Sequence, residues 1–183
     1  MINRDNIIAI DIETTGLDPN RDTILEFGAM HIGSGEQFRR LIVPEDGRFS
    51  GHGIALAMNA ALLSEICEII NGKNKTTLWN SSVEGLYFEF CVWLKQFGLE
   101  AKDITVLGKN FGGFDLQFLK KGGNWPYRSL DIGSLFFKYA GKVCNLSDCA
   151  AIAGIEVKNL HTALGDCWLY GALFDWWAAK ELG

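Results

Sequence analysis

The stretch Ile7-Ile8-Ala9-Ile10-Asp11-Ile12-Glu13-Thr14-Thr15-Gly16-Leu17-Asp18-Pro19 decides how this chain is read. Over residues 6–13 the side chains alternate with a period of two. Ile8, Ile10 and Ile12 fall on one side, and Ile7, Ala9, Asp11 and Glu13 on the other, as on a β-strand. Both sides begin apolar, which makes the strand central and buried, and its C-terminal end turns abruptly acidic. Thr14 to Pro19 then reads as a turn. Asp11 and Glu13 project from the same face. Two neighbouring carboxylates repel and raise each other's pKa unless a cation intervenes, and buried carboxylates need partners or a metal. Oxygen-only ligands favour a hard cation such as Mg²⁺ or Mn²⁺. Taken alone, the pair also fits a solvated strand end with incidental acids.

Outward from this strand, residues 24–33 and 36–43 read as two further strands joined at Gly33-Ser34-Gly35. Ile54 to Ile70 reads as one helix, followed by a polar loop at 71–77. From Val83 to Phe97 the apolar residues recur at helical spacing. Ile104 to Leu107 is a short buried strand, Phe114 to Lys120 a short helix, Arg128 to Ile132 a strand or strand end, and Leu146 to Ala153 a short helix. The last segment, Thr162 to Lys180, reads as a long helix with Leu164, Cys167, Trp168, Gly171, Phe174, Trp177 and Ala178 along its packed side. Trp93, Trp168, Trp176 and Trp177 sit at core-like spacing and are expected in the core. Three strands followed by helices interleaved with short strands imply an α/β fold, a mixed central sheet flanked by helices. Ligands in such sheets sit beyond the carboxyl ends of central strands, where Asp11 and Glu13 lie.

The chain has 183 residues, with 17 Lys and Arg against 22 Asp and Glu, so its formal charge is −5. That length fits one domain over 1–183, and no repeat, low-complexity tract or linker divides it. The acidic balance excludes a basic module that wraps nucleic acid by neutralising phosphates, though not an enzyme that meets a strand at one small site. No apolar run reaches the roughly 20 residues of a membrane span, and the N-terminus does not read as a signal peptide. Five cysteines (Cys67, Cys91, Cys144, Cys149 and Cys167) form no C-x-x-C pair. They are expected as free thiols in a reducing cytoplasm, filling core positions as small apolar residues. A zinc set of Cys144, Cys149, His161 and Cys167 is the alternative, though its spacings match none of the close-paired patterns. His31, in a strand, and His52, in a Gly-flanked loop, are given no role.

Two further segments carry chemistry. In Gly108-Lys109-Asn110-Phe111-Gly112-Gly113-Phe114-Asp115 a strand ends, glycines permit a tight turn, and Asp115 opens a helix, where it could equally be a capping aspartate. In His161-Thr162-Ala163-Leu164-Gly165-Asp166, His161 and Asp166 would point roughly 140° apart if both were helical. They converge only if His161 lies in the loop before the helix, with Thr162 near the cap, and Glu156 to Leu160 allow that.

In this order, D-x-E, N-x4-D and H-x4-D resemble the DEDDh 3′-to-5′ exonucleases (DnaQ-like) of the ribonuclease H-like superfamily, over nearly the whole chain. Asp11 to Asp18 is similar to the family's first motif, Asn110 to Asp115 to its second and His161 to Asp166 to its third; Arg128-Ser129-Leu130-Asp131 matches its Arg-x-x-Asp. The resemblance implies a ribonuclease H-like fold, Asp11, Glu13, Asp115 and Asp166 as holders of two Mg²⁺ or Mn²⁺ ions, and His161 as general base. It implies release of nucleoside 5′-monophosphates from the 3′ end of single-stranded DNA or RNA, with Thr14, Thr15, Gly16 and Leu17 meeting the terminal nucleotide. Asn110, where many relatives carry His-Asn, is either a substrate contact or a turn residue, and Asp131 is expected as a structural partner. The chemistry fits that division of labour. Phosphodiester hydrolysis needs a deprotonated water placed in line and charge neutralised on the phosphoryl oxygens, tasks suited to two cations about 3.5–4 Å apart. A histidine with a pKa near 6.5 suits proton removal near neutral pH. A strand end can be seated locally without a broad basic surface. The alternative is a non-catalytic nucleic-acid-binding or scaffold module retaining the fold. DNA proofreading or degradation and RNA trimming stay open, as do oligomeric state and a polymerase or RNA-processing partner.

Overall fold

In the computed structural model, which describes residues 3–157 and 161–182, the opening strand is β1 (Ile7–Thr14). It pairs antiparallel with β2 (Ile24–His31), which pairs antiparallel with β3 (Gln37–Ile42). After α1 (Gly53–Met58) and α2 (Ala60–Ile70), the two-residue β4 (Trp79–Asn80) adds parallel to β3. Then α3 (Val83–Leu94) and a 3₁₀ turn at Lys95–Phe97 lead to β5 (Thr105–Gly108), parallel to β1 on its other side. Following α4 (Asp115–Leu119), β6 (Ser129–Asp131) adds parallel to β5. Helices α5 (Ile132–Leu135), α6 (Phe137–Ala140), α7 (Leu146–Ala153) and α8 (Ala163–Leu182) complete the chain. The strand order is β4-β3-β2-β1-β5-β6, a mixed sheet with β1 inside it.

The alternation along β1 becomes two cores. Ile8, Ile10 and Ile12 point into an aromatic cluster with Phe27, Phe38, Phe90, Trp93 and Trp125, roofed by α3. Within it Phe90 lies 5.5 Å from Phe27 and 5.1 Å from Trp125, measured between ring centroids. Ile7 and Ala9 face the other way, onto Cys149 and Ala150 of α7 and Cys167, Tyr170, Leu173 and Phe174 of α8. A smaller cluster of Leu25, Leu41 and Val43 packs under Ile66 of α2. Helices α3 and α7 start where side chains supply caps: Ser82 accepts from the Gly85 N–H at 3.1 Å, and Asn145 from that of Asp148 at 2.8 Å.

Several details differ from the sequence reading. The helix expected over 54–70 breaks at Asn59, which is buried and donates from Nδ2 to the Thr14 carbonyl at 3.1 Å. A tertiary bond thus interrupts an otherwise continuous helical run. Trp168 is exposed, because α8 packs through Ala163, Asp166, Cys167, Tyr170, Leu173 and Phe174 instead. Cys144, Cys149 and Cys167 are buried, whereas Cys67 is exposed and Cys91 half-buried; all five are free thiols. Strand β4 and helices α5 and α6 are too short to register as periodic patterns. Among the described residues, no helix is long and apolar enough to cross a membrane.

Candidate active site

The acidic end of β1 is finished by its neighbours. Glu13 lies opposite Glu26 in the β1–β2 ladder, and the register slips between Glu13 and Thr14 as the strand gives way to the turn. Glu26 is a buried carboxylate in a fully buried strand that is apolar from Ile24 to Met30 apart from it. Its Oε2 accepts from the Ala163 N–H, the first residue of α8, at 2.8 Å. The other oxygen pairs with Arg39 of β3, which makes a two-pronged contact to Glu65 of α2 at 3.1 and 2.8 Å. At Gly28 the same strand meets the first turn of α8 at minimal separation, since a Cβ there would lie 2.6 Å from the Ala163 carbonyl carbon. Thr162 caps α8, its hydroxyl accepting from the Gly165 N–H at 3.1 Å. His161 therefore precedes the helix, with φ 69°, exposed, while Asp166 in the first turn points inward. Lys158 to Leu160, the rest of the loop expected to carry His161, lie outside the described residues.

This seating brings three carboxylates together. One oxygen from each of Asp11, Glu13 and Asp166 lies within 4.8 Å of the others. Burial, then the charges of Asp115, Asp166 and Glu13, hold Asp11 well above the usual carboxylate range, opposed by the Tyr170 hydroxyl, which donates to its Oδ1 at 2.6 Å. Burial and the Asp166 charge push Glu13 up to about 7, against the Asn59 amide. Burial pushes Asp166 up to about 6, against the charge and backbone N–H of His161. Among the described residues the Oδ1 of Asp166 is buried without a hydrogen-bond partner. Crowded, desolvated carboxylates with an orphaned oxygen are what a divalent cation would relieve, and all-oxygen donors fit Mg²⁺ or Mn²⁺. The donor set fits such an ion. The four-residue zinc set, by contrast, is not gathered into a cation-holding group among the described residues.

Asp115 stands beside this triad rather than in it. Its carboxylate does not cap α4; Oδ1 instead accepts from the Ile12 N–H of β1 at 3.2 Å, which ties the second motif to the first. Burial pushes it up to about 7, with that N–H and its own opposing. Asn110 takes the left-handed conformation, φ 56°, at the turn leaving β5, and its N–H donates to Asp131 Oδ2 at 2.7 Å. Asp131 Oδ1 accepts from the N–H of Ser134 at 2.7 Å. Burial would raise Asp131, but the donors from Asn110 and Ser134 outweigh it and leave its pKa lowered.

Thr14 to Leu17 continue the chain beyond the acids of β1. Thr15 is fully buried, its hydroxyl accepting from the Thr23 N–H at 2.9 Å, while Leu17 is 81% exposed. His52, given no role from sequence, donates its backbone N–H to the Thr15 carbonyl at 2.8 Å. Gly51 allows this approach, because a Cβ there would lie 2.2 Å from that carbonyl oxygen. Ser50, Gly51 and His52 with Leu17, Asp18, Arg21 and Asp22 line a cleft of about 460 Å³. Sequence reasoning missed Glu26, Asn59 and Tyr170, which hold the acids or their supports. Of these only Glu26 left a signal, a charge in the middle of an apolar strand.

A family model for exonucleases, that of RNase T, matches residues 8–174. No curated protein sequence matches the chain. Among solved structures, the chain is similar to E. coli exonuclease I in a zinc-bound complex with single-stranded DNA, at a TM-score of 0.69 and 17% identity over 96% of this chain and 40% of that one. It is similar to S. pombe Pop2p in a form with Mg²⁺ and Mn²⁺ bound, at 0.66 and 12% over 97% and 84%. A complex of E. coli exonuclease I with a dA16 oligonucleotide matches at 0.66 and 16% over 96% and 41%. The chain thus spans about two fifths of the exonuclease I chains it matches. At these identities the structures establish the fold, which is ribonuclease H-like. With a family model matched over most of its length, on a sheet whose central strand ends in gathered acids, the chain belongs to the RNase T exonuclease family.

Proposed function

We propose that residues 1–183 form a single 3′-to-5′ exonuclease domain of the DEDDh type, which hydrolyses the terminal phosphodiester of a single strand and releases nucleoside 5′-monophosphates. The convergence of Asp11, Glu13 and Asp166, with one Asp166 oxygen unpartnered, carries the reading. These three residues and Asp115 would hold two Mg²⁺ or Mn²⁺ ions. Bound there, the ions supply charge neutralisation at the phosphate and activation of water. His161, exposed before α8 and close enough to influence Asp166, is the general base that takes the proton from the attacking water. Thr14, Thr15 and Gly16 shape the turn that seats the terminal nucleotide, and the exposed Leu17 offers an apolar surface to its base. Asn110, in the turn that precedes Asp115, is the further residue assigned to contact with the strand.

The complexes of exonuclease I with single-stranded DNA support DNA as a substrate, and the Mg²⁺ and Mn²⁺ in Pop2p support the choice of ions. RNA trimming is the companion possibility, with the chain acting alone or beside a polymerase or RNA-processing partner. The free thiols support the cytoplasm as its setting. Matched single-stranded DNA and RNA oligonucleotides, labelled at the 5′ end and incubated with Mn²⁺, test the proposal. Stepwise shortening from the 3′ end, mononucleotide release and complete arrest in chelator are expected. Internal cuts, or binding without cutting, would overturn it, the latter in favour of a non-catalytic module.

A further inference from the structure

Tyr170 belongs to none of the three motifs, yet it touches the site directly. It lies one turn beyond Asp166 on α8, so both side chains project from the same face of the helix. The ring is 2% exposed, packed in the cluster formed by Ile7, Ala9, Leu107, Leu173 and Phe174. In such surroundings a phenol hydroxyl is costly unless it finds a partner. Its partner is Asp11 Oδ1, at 2.6 Å. The other acids are held differently: Asp115 by a backbone N–H of β1, and Asp166 with its Oδ1 unpartnered. A carboxylate anchored at one oxygen no longer rotates freely about its Cβ–Cγ bond. Helix α8 thus contributes one carboxylate of the triad and fixes the orientation of another.

We propose that Tyr170 is a positioning residue, whose hydroxyl fixes the Asp11 carboxylate so that the cation-binding triad of Asp11, Glu13 and Asp166 is in place before an ion arrives. The inference rests on the metal-site reading given under Proposed function. Groups that hydrogen-bond a metal ligand typically contribute roughly 10- to 100-fold to metal affinity. Tyr170→Phe, which keeps the ring and deletes the hydroxyl, should weaken Mn²⁺ binding by about that factor in calorimetric titration, with an unchanged circular dichroism spectrum. Raising Mn²⁺ should restore much of any lost turnover. Unchanged or tighter Mn²⁺ binding in Tyr170→Phe would overturn the inference. Asp11→Asn separates the two levels. If it binds Mn²⁺ like the wild type, the metal site itself is wrong; if it loses binding while Tyr170→Phe does not, only the role of Tyr170 falls. A crystal structure of the wild-type protein with Mn²⁺ gives a test independent of any variant: the Tyr170–Asp11 contact should persist, and its rupture on metal binding would overturn the inference.

Discussion

The two sides of β1 are built from one alternating sequence and do opposite things. On the α3 side Ile8, Ile10 and Ile12 enter an aromatic cluster and stay apolar to the end of the strand. On the α8 side Ile7 and Ala9 begin in the same way, then Asp11 and Glu13 bring charge into a space that burial makes hostile to it. One side stabilises the fold. The other places repelling carboxylates in a buried space, which bound protons or a cation would relieve. Stability and chemistry are therefore separable by substitution, strand face by strand face.

The largest effect is expected on the acidic side. Asp166→Asn should reduce turnover below detection while raising the thermal midpoint of the metal-free protein by a few degrees, since it removes a buried charge with an orphaned oxygen. Full activity in this variant would break the comparison. His161→Ala should slow hydrolysis on the order of 10²- to 10⁴-fold and leave the Mn²⁺ dissociation constant unaltered; a retained rate would mean another base. On the apolar side, Phe90→Ala should lower unfolding free energy by about 3–5 kcal/mol, and kcat per folded molecule should stay near wild type. A matching fall in kcat would show that the two faces are mechanically coupled.

The smallest effect is a trend with pH. In the folded, metal-free protein Glu13 and Asp115 titrate at about 7 and Asp166 at about 6, all above the ordinary carboxylate range. Between about pH 4 and 7 the folded state holds more protons at these groups than the unfolded chain, so their contribution to stability is lost as pH rises through that window. In chelator, the midpoint advantage of Asp166→Asn over wild type should therefore widen from pH 5 to pH 8. A gap that narrows would mean that Asp166 is not held protonated by its surroundings.

How much of this was legible in the sequence depended on the range of the interactions. The alternation of β1 announced both cores, because period two is a local property and each neighbour in sequence marks a face. His161 could be placed before a helix because geometry forbade convergence with Asp166 otherwise. Asn59 was not legible, since its neighbours are good helix formers and its bond to Thr14 crosses 45 residues. Asp115 looked like a cap because its partner, the Ile12 N–H, is 103 residues away. Tyr170 lies in none of the motifs, and Trp168 looked like a core residue, because helical spacing fixes relative direction without saying which arc of the helix faces the sheet.

The contact between Gly28 and the start of α8 has a further consequence. Where a side chain would begin there is only a hydrogen atom, and the helix rests on it. His161, Thr162, Asp166 and Tyr170 all ride on that one short segment, two of them turned toward the acids of β1. The alignment of the third motif with the first is thus a matter of mechanical tolerance, set by the clearance at one position of a neighbouring strand that itself contributes nothing to the triad.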